Sequence, residues 1–471
     1  MELTDRLGRA ASTQHLPSGI PWLGVASVTA IVVLGALVVV QPALALVLAG
    51  GGAFVGVLTG VARVPIAAAL VVATIAVVGV VDLPRKIDLG PATSYALITI
   101  AISMLLALVS VSPYVLSVVR RTGYLLLPLY AFAAWALVSV IWFRPSFVGA
   151  QNTLVYIAFA ALVPVTAAAV AHGDLAVATV RRAITAAILL ASALYVGSLA
   201  LGGLGGQAVV GSRSYALLAI VGVAWGVAHV RLGERRFAWL VALCWVLILL
   251  SLSRLAFAAA MLIVVVAALD LRTPARFVRS ALIVGSVGVV AFFSVTSFGP
   301  MAERFAQGDL HTVGGGIAIN VEGRASTWDL VWESYLESPI IGKGAGAAEQ
   351  TIEDQTGVEN HPHNDYLRVL HDFGIVGLVL LVAAVGGLMA HAVGASGQAR
   401  RRGRDASIHL AAGLALLGLL AGMSTDNAIV YLFVVGPVAI ILGISIGLQV
   451  RDGEVATNPV RSAIDELGGR R

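Results

Sequence analysis

The stretch HPHNDYLRVLHDFGIVGL places two histidines, His361 and His363, directly before a long apolar run. Asn364 or Asp365 is suited to cap a helix that begins at Tyr366, because short polar side chains accept hydrogen bonds from a first helical turn. The two imidazoles would then stand at the positive end of the helix dipole, which disfavours their charged form. A neutral imidazole can take a proton from a hydroxyl group, so the spacing predicts a general base.

Two other interpretations of this stretch stay open at the level of sequence. A zinc ion could be held by His361, His363 and an acidic residue such as Asp365 or Glu359. Alternatively, the two histidines could be purely structural and do no more than help to end the loop and begin the helix. Insensitivity of the wild-type protein to chelators would separate the general base from the zinc site.

Two further residues with chemical potential are arginines at the edges of apolar runs. Arg213 stands in VVGSRSYALL and Arg254 stands in LSLSRLAFAA. Each could simply extend its charged end toward lipid headgroups. Two guanidinium groups at the same depth and beside a histidine-rich loop instead predict an anion site, and pyrophosphate is the anion expected at a membrane surface. Guanidinium binds phosphate oxygens through paired hydrogen bonds.

An aromatic helix is predicted between these elements, within GRASTWDLVWESYLESPIIGKGAG. Its apolar residues recur with helical spacing and share one face; they are Trp328, Val331, Trp332, Tyr335 and Leu336. Pro339 is expected to end the helix, and the glycines that follow allow a tight loop. Arg324 precedes the helix and is a third candidate for the anion site. The helix is expected either to lie in the membrane interface or to pack on the membrane domain.

The elements that position these residues are membrane-spanning helices. Of the 471 residues 59% are hydrophobic and 12% are charged, about half the charged fraction of a soluble domain. Runs of about 20 apolar residues recur along the chain, each long enough to cross a bilayer. We predict an all-α polytopic membrane protein with about 14 spans (12–14). The expected spans are 22–40, 43–62, 64–82, 93–112, 123–142, 151–171, 183–201, 213–230, 237–252, 255–270, 280–297, 373–393, 406–424 and 427–448.

The distribution of basic residues predicts the orientation. Most of the 30 Lys and Arg residues fall in segments on one side, which places both termini in the cytoplasm. This bias also explains the net charge of +5 without nucleic-acid binding. No signal-peptide pattern is evident at the N-terminus. The expected divisions are a cytoplasmic tail (1–21), helices one to eleven (22–297), an extracytoplasmic loop with amphipathic helices (298–372), helices twelve to fourteen (373–450) and a second cytoplasmic tail (451–471).

The 298–372 loop is the expected location of the chemistry. It carries twelve acidic and four basic residues and four of the nine histidines. No Asp, Glu, Lys or Arg falls near the middle of an expected span, whereas ion-coupled transporters usually need such groups. The charge-free spans therefore argue against a transporter or flippase for lipid-linked sugars, which is kept as an alternative together with a non-enzymatic scaffold for envelope synthesis. The single cysteine, Cys244, excludes a disulfide within the chain.

The motifs resemble those of the O-antigen ligase and Wzy-type polymerase superfamily of membrane glycosyltransferases. HPHNDYLRVLHDFGIVGL is similar to the family's H-x-H-N-x-x-L pattern, and GRASTWDLVWESYLESPIIGKGAG to its Gly-Arg, Trp, Pro and Gly-x-Gly run. The pair of outer arginines is the third point of similarity. The resemblance covers roughly residues 205 to 390.

The resemblance implies a GT-C-like fold and an inverting transfer without metal, nucleotide or other cofactor. The donor would be a glycan on undecaprenyl pyrophosphate, and the acceptor a hydroxyl of a glycan or lipid-glycan at the outer face of a bacterial inner membrane. His363 directly precedes Asn364 and is therefore the expected base, with His361, Asn364 and Tyr366 in support. Arg213, Arg254 and Arg324 are expected to bind pyrophosphate. The motifs do not separate a ligase from a polymerase.

Overall fold

The computed structural model describes residues 66–77, 95–142, 146–206, 208–269, 273–306, 312–313, 317–318, 322–357 and 360–453. Within these ranges the chain is helical apart from loops and one two-stranded hairpin, β1 (Thr312–Val313) and β2 (Ile317–Ala318). The helices are α1 (Ile66–Val77), α2 (Tyr95–Ser110), α3 (Pro113–Trp142), α4 (Phe147–Ala171), α5 (Val177–Gly202), α6 (Ser212–Arg231), α7 (Ala238–Leu250), α8 (Arg254–Ala268), α9 (Pro274–Thr296), α10 (Gly299–Ala306), α11 (Glu322–Tyr335), α12 (Ala347–Thr356), α13 (Asp365–Arg401), α14 (Ser407–Met423) and α15 (Leu432–Arg451).

The centre of the bundle is formed by α4 and α15, which pack along each other. Nearly every residue of α15 is buried. Small residues allow this close contact: a Cβ atom added at Gly443 would lie 2.6 Å from the carbonyl oxygen of Val163. Tight packing of small residues is typical of helices in membranes, where no water drives apolar side chains together. Around this pair, α6 packs against α14, and α3 against α13.

Six of the described helices are long and apolar enough to cross a membrane: α4, α5, α6, α9, α13 and α15. The consecutive helices α2 and α3 form a further pair, bent by 71° between Ile102–Ser110 and Pro113–Thr122, that could count as one broken span. The expected all-helical membrane architecture is confirmed at this level. Two of the fourteen expected spans, 22–40 and 43–62, lie outside the described residues.

Several expected boundaries change. The expected span at 373–393 is part of a longer helix, α13, which starts eight residues earlier. Helices α8 and α14, at the expected spans 255–270 and 406–424, are apolar but shorter than the six candidate spans. Helix α9 contrasts with the central helices because most of its apolar side chains, such as Phe277, Leu282 and Phe292, are exposed. Such a surface is suited to contact with lipid rather than water.

Residues 298–372 hold α10, the β1–β2 hairpin, α11, α12 and the first part of α13. The aromatic helix was expected between Trp328 and Pro339 and is observed as α11, which already ends at Tyr335. The residues of its expected apolar face differ in burial. Val331 is fully buried against α12, whereas Trp332 and Leu336 are 48% and 58% exposed. The helix therefore packs on its neighbours through one edge and leaves an aromatic and aliphatic edge uncovered.

Candidate active site

The histidine motif begins α13 as its capping pattern predicts. The side chain of Asn364 accepts a hydrogen bond from the backbone N–H of Leu367, 3.1 Å away, and the helix starts at Asp365. His363 has a positive φ of 48°, which is uncommon for residues other than glycine. The indole N–H of Trp328 on α11 donates to the carbonyl oxygen of Pro362 at 2.6 Å. Helix α11 thus fixes the loop between the two histidines.

A break in the helical conformation of α13 allows the loop that follows α11 to pack close to the site. At Gly374 the backbone leaves the helical conformation, with φ 65° and ψ −169°. The loop after α11 fits against this break, where the N–H of Ile375 donates to the carbonyl of Pro339 at 2.9 Å and the N–H of Gly344 donates to Asp372 at 2.7 Å. A Cβ atom at Gly374 would overlap the carbonyl of Ile340, so only glycine fits.

Helix α12 is oriented by the carboxylate of Asp372. One oxygen accepts from the N–H of Gly346 and the other from the N–H of Ala348, both at 2.9 Å. Free N–H groups at a helix start favour such a carboxylate. His371 adds a contact of 3.0 Å from its Nδ1 to Asp372 Oδ1. This arrangement directs the third residue of α12, Glu349, toward α13.

Glu349 is buried and contacts His361, since Glu349 Oε1 lies 3.2 Å from His361 Nδ1. The same oxygen lies 3.1 Å from a guanidinium nitrogen of Arg368, which is fully buried. Burial acts to raise the pKa of Glu349, but the charge of Arg368 and the contact with His361 outweigh it and lower that pKa. Glu349 is therefore an ionised carboxylate that holds one of the two motif histidines.

The second histidine contacts the loop between α14 and α15. His363 Nδ1 lies 3.2 Å from Asn427 Nδ2 and 3.8 Å from Asp426 Oδ1. Burial would raise the pKa of Asp426, but the interaction with His363, the backbone N–H of Asn427 and the charge of Arg213 lower it. Asp426 is thus an anion beside His363, and Arg213 acts on it electrostatically.

Arg368 connects the side of the site that holds His361 with the side that holds His363. Its guanidinium donates to Asp365 Oδ1 at 2.7 Å and to Asn427 Oδ1 at 2.8 Å, in addition to its contact with Glu349. Asp365 in turn accepts from the backbone N–H of Ile429 at 2.8 Å. The base of the site is therefore a buried network in which one cation connects α12, α13 and the α14–α15 loop.

The expected pyrophosphate arginines are only partly brought together. Arg213, the second residue of α6, is exposed and close enough to Asp426 to affect its pKa. Arg254, the first residue of α8, lies at the same end of the bundle, because Gly205 in the loop before α6 donates to the carbonyl of Leu250 at 3.2 Å. Arg324 is the third residue of α11, and its side chain lies outside the described residues.

Tyr366, which was expected to support the site, makes a structural contact, and the metal alternative can also be compared with the structure. The hydroxyl of Tyr366 donates to the carbonyl of Leu420 at 2.9 Å and fixes the start of α13 to the end of α14. Among the described residues no group of three or more His, Cys, Asp or Glu is arranged to hold a metal ion. Glu359, one of the zinc ligands considered, lies outside those residues.

Four residues of the site were not predicted from the sequence as its members: Glu349, Arg368, Asp426 and Asn427. Asp426 and Asn427 had a detectable signal, because they form a polar interruption between two apolar runs. Glu349 and Arg368 had none, since charged residues are common in loops and at helix starts. Only their burial distinguishes these two residues.

Comparison with known proteins identifies the region that contains most of this site. A search of curated proteins found no match to the chain. The family model described as O-antigen ligase matches residues 239–382, which include Arg254, both motif histidines and Arg368. Together with the apolar helices, the match indicates a multi-pass membrane protein and a glycosyltransferase-type enzyme. The resemblance seen in the motifs is thereby confirmed, since residues 239–382 match the O-antigen ligase family model.

Proposed function

We propose that this protein is an inverting, metal-independent membrane glycosyltransferase. It transfers or polymerises a glycan from an undecaprenyl-pyrophosphate donor onto an acceptor hydroxyl at the outer face of a bacterial inner membrane. The observation that supports this most directly is the convergence at one end of the bundle of two imidazoles, an ionised carboxylate and the charge of Arg213. An imidazole can remove the acceptor proton, and guanidinium can offset the charge of a leaving pyrophosphate.

The location of the site fits a substrate with a lipid tail and a polar head. His361 and His363 immediately precede α13, a candidate span, while Arg213 and Arg254 begin helices of the same bundle. A pyrophosphate at this depth would meet the arginines while its polyprenyl chain stays in lipid. Each charge-assisted hydrogen bond would contribute about 1.5–3 kcal/mol. A GT-C-like arrangement with up to fourteen spans belongs to the same proposal.

Analysis of surface glycan in a deletion strain tests the function and separates its two forms. Single repeats that stay on the lipid carrier indicate a polymerase, whereas long lipid-linked chains that never reach an acceptor indicate a ligase. A plasmid that encodes the His361→Ala/His363→Ala double variant should fail to restore the glycan although the protein is inserted. Full restoration by this variant would contradict the enzyme and favour a scaffold, and an unchanged glycan in the deletion strain would contradict the function.

The proposed orientation is testable with cysteine labelling. In a Cys244→Ala background, Asp354→Cys on α12 should react with a membrane-impermeant thiol reagent on intact cells. Arg402→Cys, at the opposite end of α13, should react only after the cells are opened. Both positions are exposed in the structure. The reverse pattern would place the histidine site in the cytoplasm.

A further inference from the structure

The exposed edge of α11 extends into the loop that follows the helix. Trp332 and Leu336 on α11 are joined there by Ile340 and Ile341, which are 64% and 43% exposed. Trp332, Leu336 and Ile340 are spaced four residues apart, so the exposed apolar side chains gather toward the C-terminal end of the helix. A contiguous apolar surface of this kind marks a contact with a membrane or another apolar partner.

Backbone hydrogen bonds hold this loop against the membrane-spanning part of α13. The N–H of Val376, just after the break in α13, donates to the carbonyl oxygen of Ile340 at 3.2 Å. From this point Ile375, Val379 and Val382 are exposed and follow one another at helical spacing along α13. Because α13 is a candidate membrane span, this apolar stripe is suited to contact with lipid. The exposed edge of α11 therefore continues a surface that already belongs in the membrane.

The acidic residues of α11 lie on a neighbouring side of the helix. Glu333 and Glu337 each follow an apolar residue of the edge, Trp332 and Leu336, by one position, which turns them by about 100° around the axis. Both are exposed, and the carboxylate of Glu337 lies 2.6 Å from the ammonium of Lys343. A helix that presents apolar and charged residues on separate sides is typical of the membrane surface.

The aromatic residues of α11 agree with this location. The rings of Trp332 and Tyr335 lie with their centres 5.2 Å apart. Both residue types are enriched where a bilayer meets water, because each ring has an apolar body and a polar group. On its other edge, α11 holds the loop between the motif histidines through the hydrogen bond from Trp328 to Pro362. The helix thus connects its exposed edge with the candidate active site.

From this continuity we propose that Trp332, Leu336, Ile340 and Ile341 form an interfacial anchor, inserted into the lipid leaflet on the histidine side of the bundle. The partner is bilayer lipid, whose acyl chains contact the aliphatic side chains while the acidic residues of α11 stay in water. The anchor enters about 5–10 Å into the boundary between headgroups and chains, as interfacial helices do. It holds α11, and with it the histidine loop, at a fixed height on the membrane. The inference does not depend on glycosyl transfer.

Spin labels on single cysteines measure the depth of the anchor in purified protein, reconstituted into phospholipid nanodiscs without a glycan donor. In a Cys244→Ala background, labels at Leu336→Cys and Ile340→Cys should be more accessible to oxygen, which dissolves in lipid, than to a water-soluble nickel chelate. Val382→Cys on α13 is the control for lipid, and Asp354→Cys on α12 is the control for water; both positions are exposed. Nickel accessibility at 336 and 340 equal to that at 354 would overturn the proposal. Exclusion of both reagents from 336 and 340 would also overturn it, because protein would then cover the edge.

Tryptophan fluorescence tests the anchor without a label. Trp332→Phe keeps an aromatic ring and removes one indole, so the difference from wild-type emission reports Trp332. This difference should shrink in nanodiscs whose lipid carries bromine near the headgroup end of its acyl chains, since bromine quenches an indole on contact, and shrink less when the bromine is near the chain ends. Trp328→Phe, on the packed edge of the same helix, is the matched control, and its difference should change little. A Trp332 contribution that is equal in brominated and unbrominated lipid would contradict the anchor.

Discussion

Replacing Arg368 by methionine should destabilise the protein strongly. The guanidinium is fully buried, and it lies 2.7 Å from Asp365 and 3.1 Å from Glu349, whose side chains are 0% and 6% exposed. Methionine fills a similar volume but leaves both carboxylates buried without their cation. Removal of one partner from a buried ion pair costs about 3–5 kcal/mol. Since two buried carboxyl groups share this cation, we expect a loss at the upper end of that range.

The single cysteine provides the assay. Cys244 is fully buried in α7, so a thiol-reactive fluorophore reports its exposure when detergent-solubilised protein unfolds on heating. Because the entropy of unfolding grows with chain length, a loss of about 5 kcal/mol should lower the midpoint of this 471-residue chain by roughly 5 °C in Arg368→Met. The triple variant Arg368→Met/Glu349→Gln/Asp365→Asn should recover most of that loss, because it also removes the two buried carboxyl groups that Arg368 contacts. Wild-type stability in Arg368→Met, or no recovery in the triple variant, would refute the account of Arg368 as the shared counter-ion.

Three further perturbations test other parts of the site. Arg213→Ala should weaken the use of the lipid-linked donor. Arg213→Lys should keep only part of the wild-type donor use, because an ammonium lacks the paired hydrogen-bond geometry of guanidinium. Unchanged kinetics in Arg213→Ala would identify an ordinary interfacial arginine. Gly374→Ala should lower the unfolding midpoint, since its backbone conformation is essentially restricted to glycine and costs other residues about 1–3 kcal/mol. Gly386→Ala on the same helix, where a Cβ meets nothing within 4 Å, should not lower it, and equal midpoints would contradict the close approach at the break. Because the pKa of Glu349 is lowered in the folded state, its carboxylate stabilises that state above about pH 4.5, the ordinary pKa of glutamate, and this contribution is lost as the pH falls through the lowered pKa. Glu349→Gln should therefore reduce the dependence of the unfolding midpoint on acid pH. An unchanged dependence would argue against an ionised carboxylate.

The helix starts were predictable from the sequence because their causes are local. Asn364 caps α13 as expected, since a capping residue needs only the N–H groups of the next turn. Apolar runs predicted the membrane helices for the same reason. The aromatic face of α11 was predicted less well, because spacing shows which residues share a face but not which neighbours cover it. Val331 is covered by α12, while Trp332, one residue later, is exposed.

The electrostatics of the site depend on contacts between residues far apart in the chain. Asp426 and Asn427 lie more than 60 residues beyond His363 in the chain, and only the packing of the α14–α15 loop on α13 brings them to it. The sequence by itself determined that two imidazoles stand at a helix start near a membrane. What each imidazole contacts is decided by tertiary structure, because the residues that meet its Nδ1 come from other elements of the fold. Those partners, Glu349 for one ring and an Asn427 amide oriented by Arg368 for the other, meet only in the folded chain.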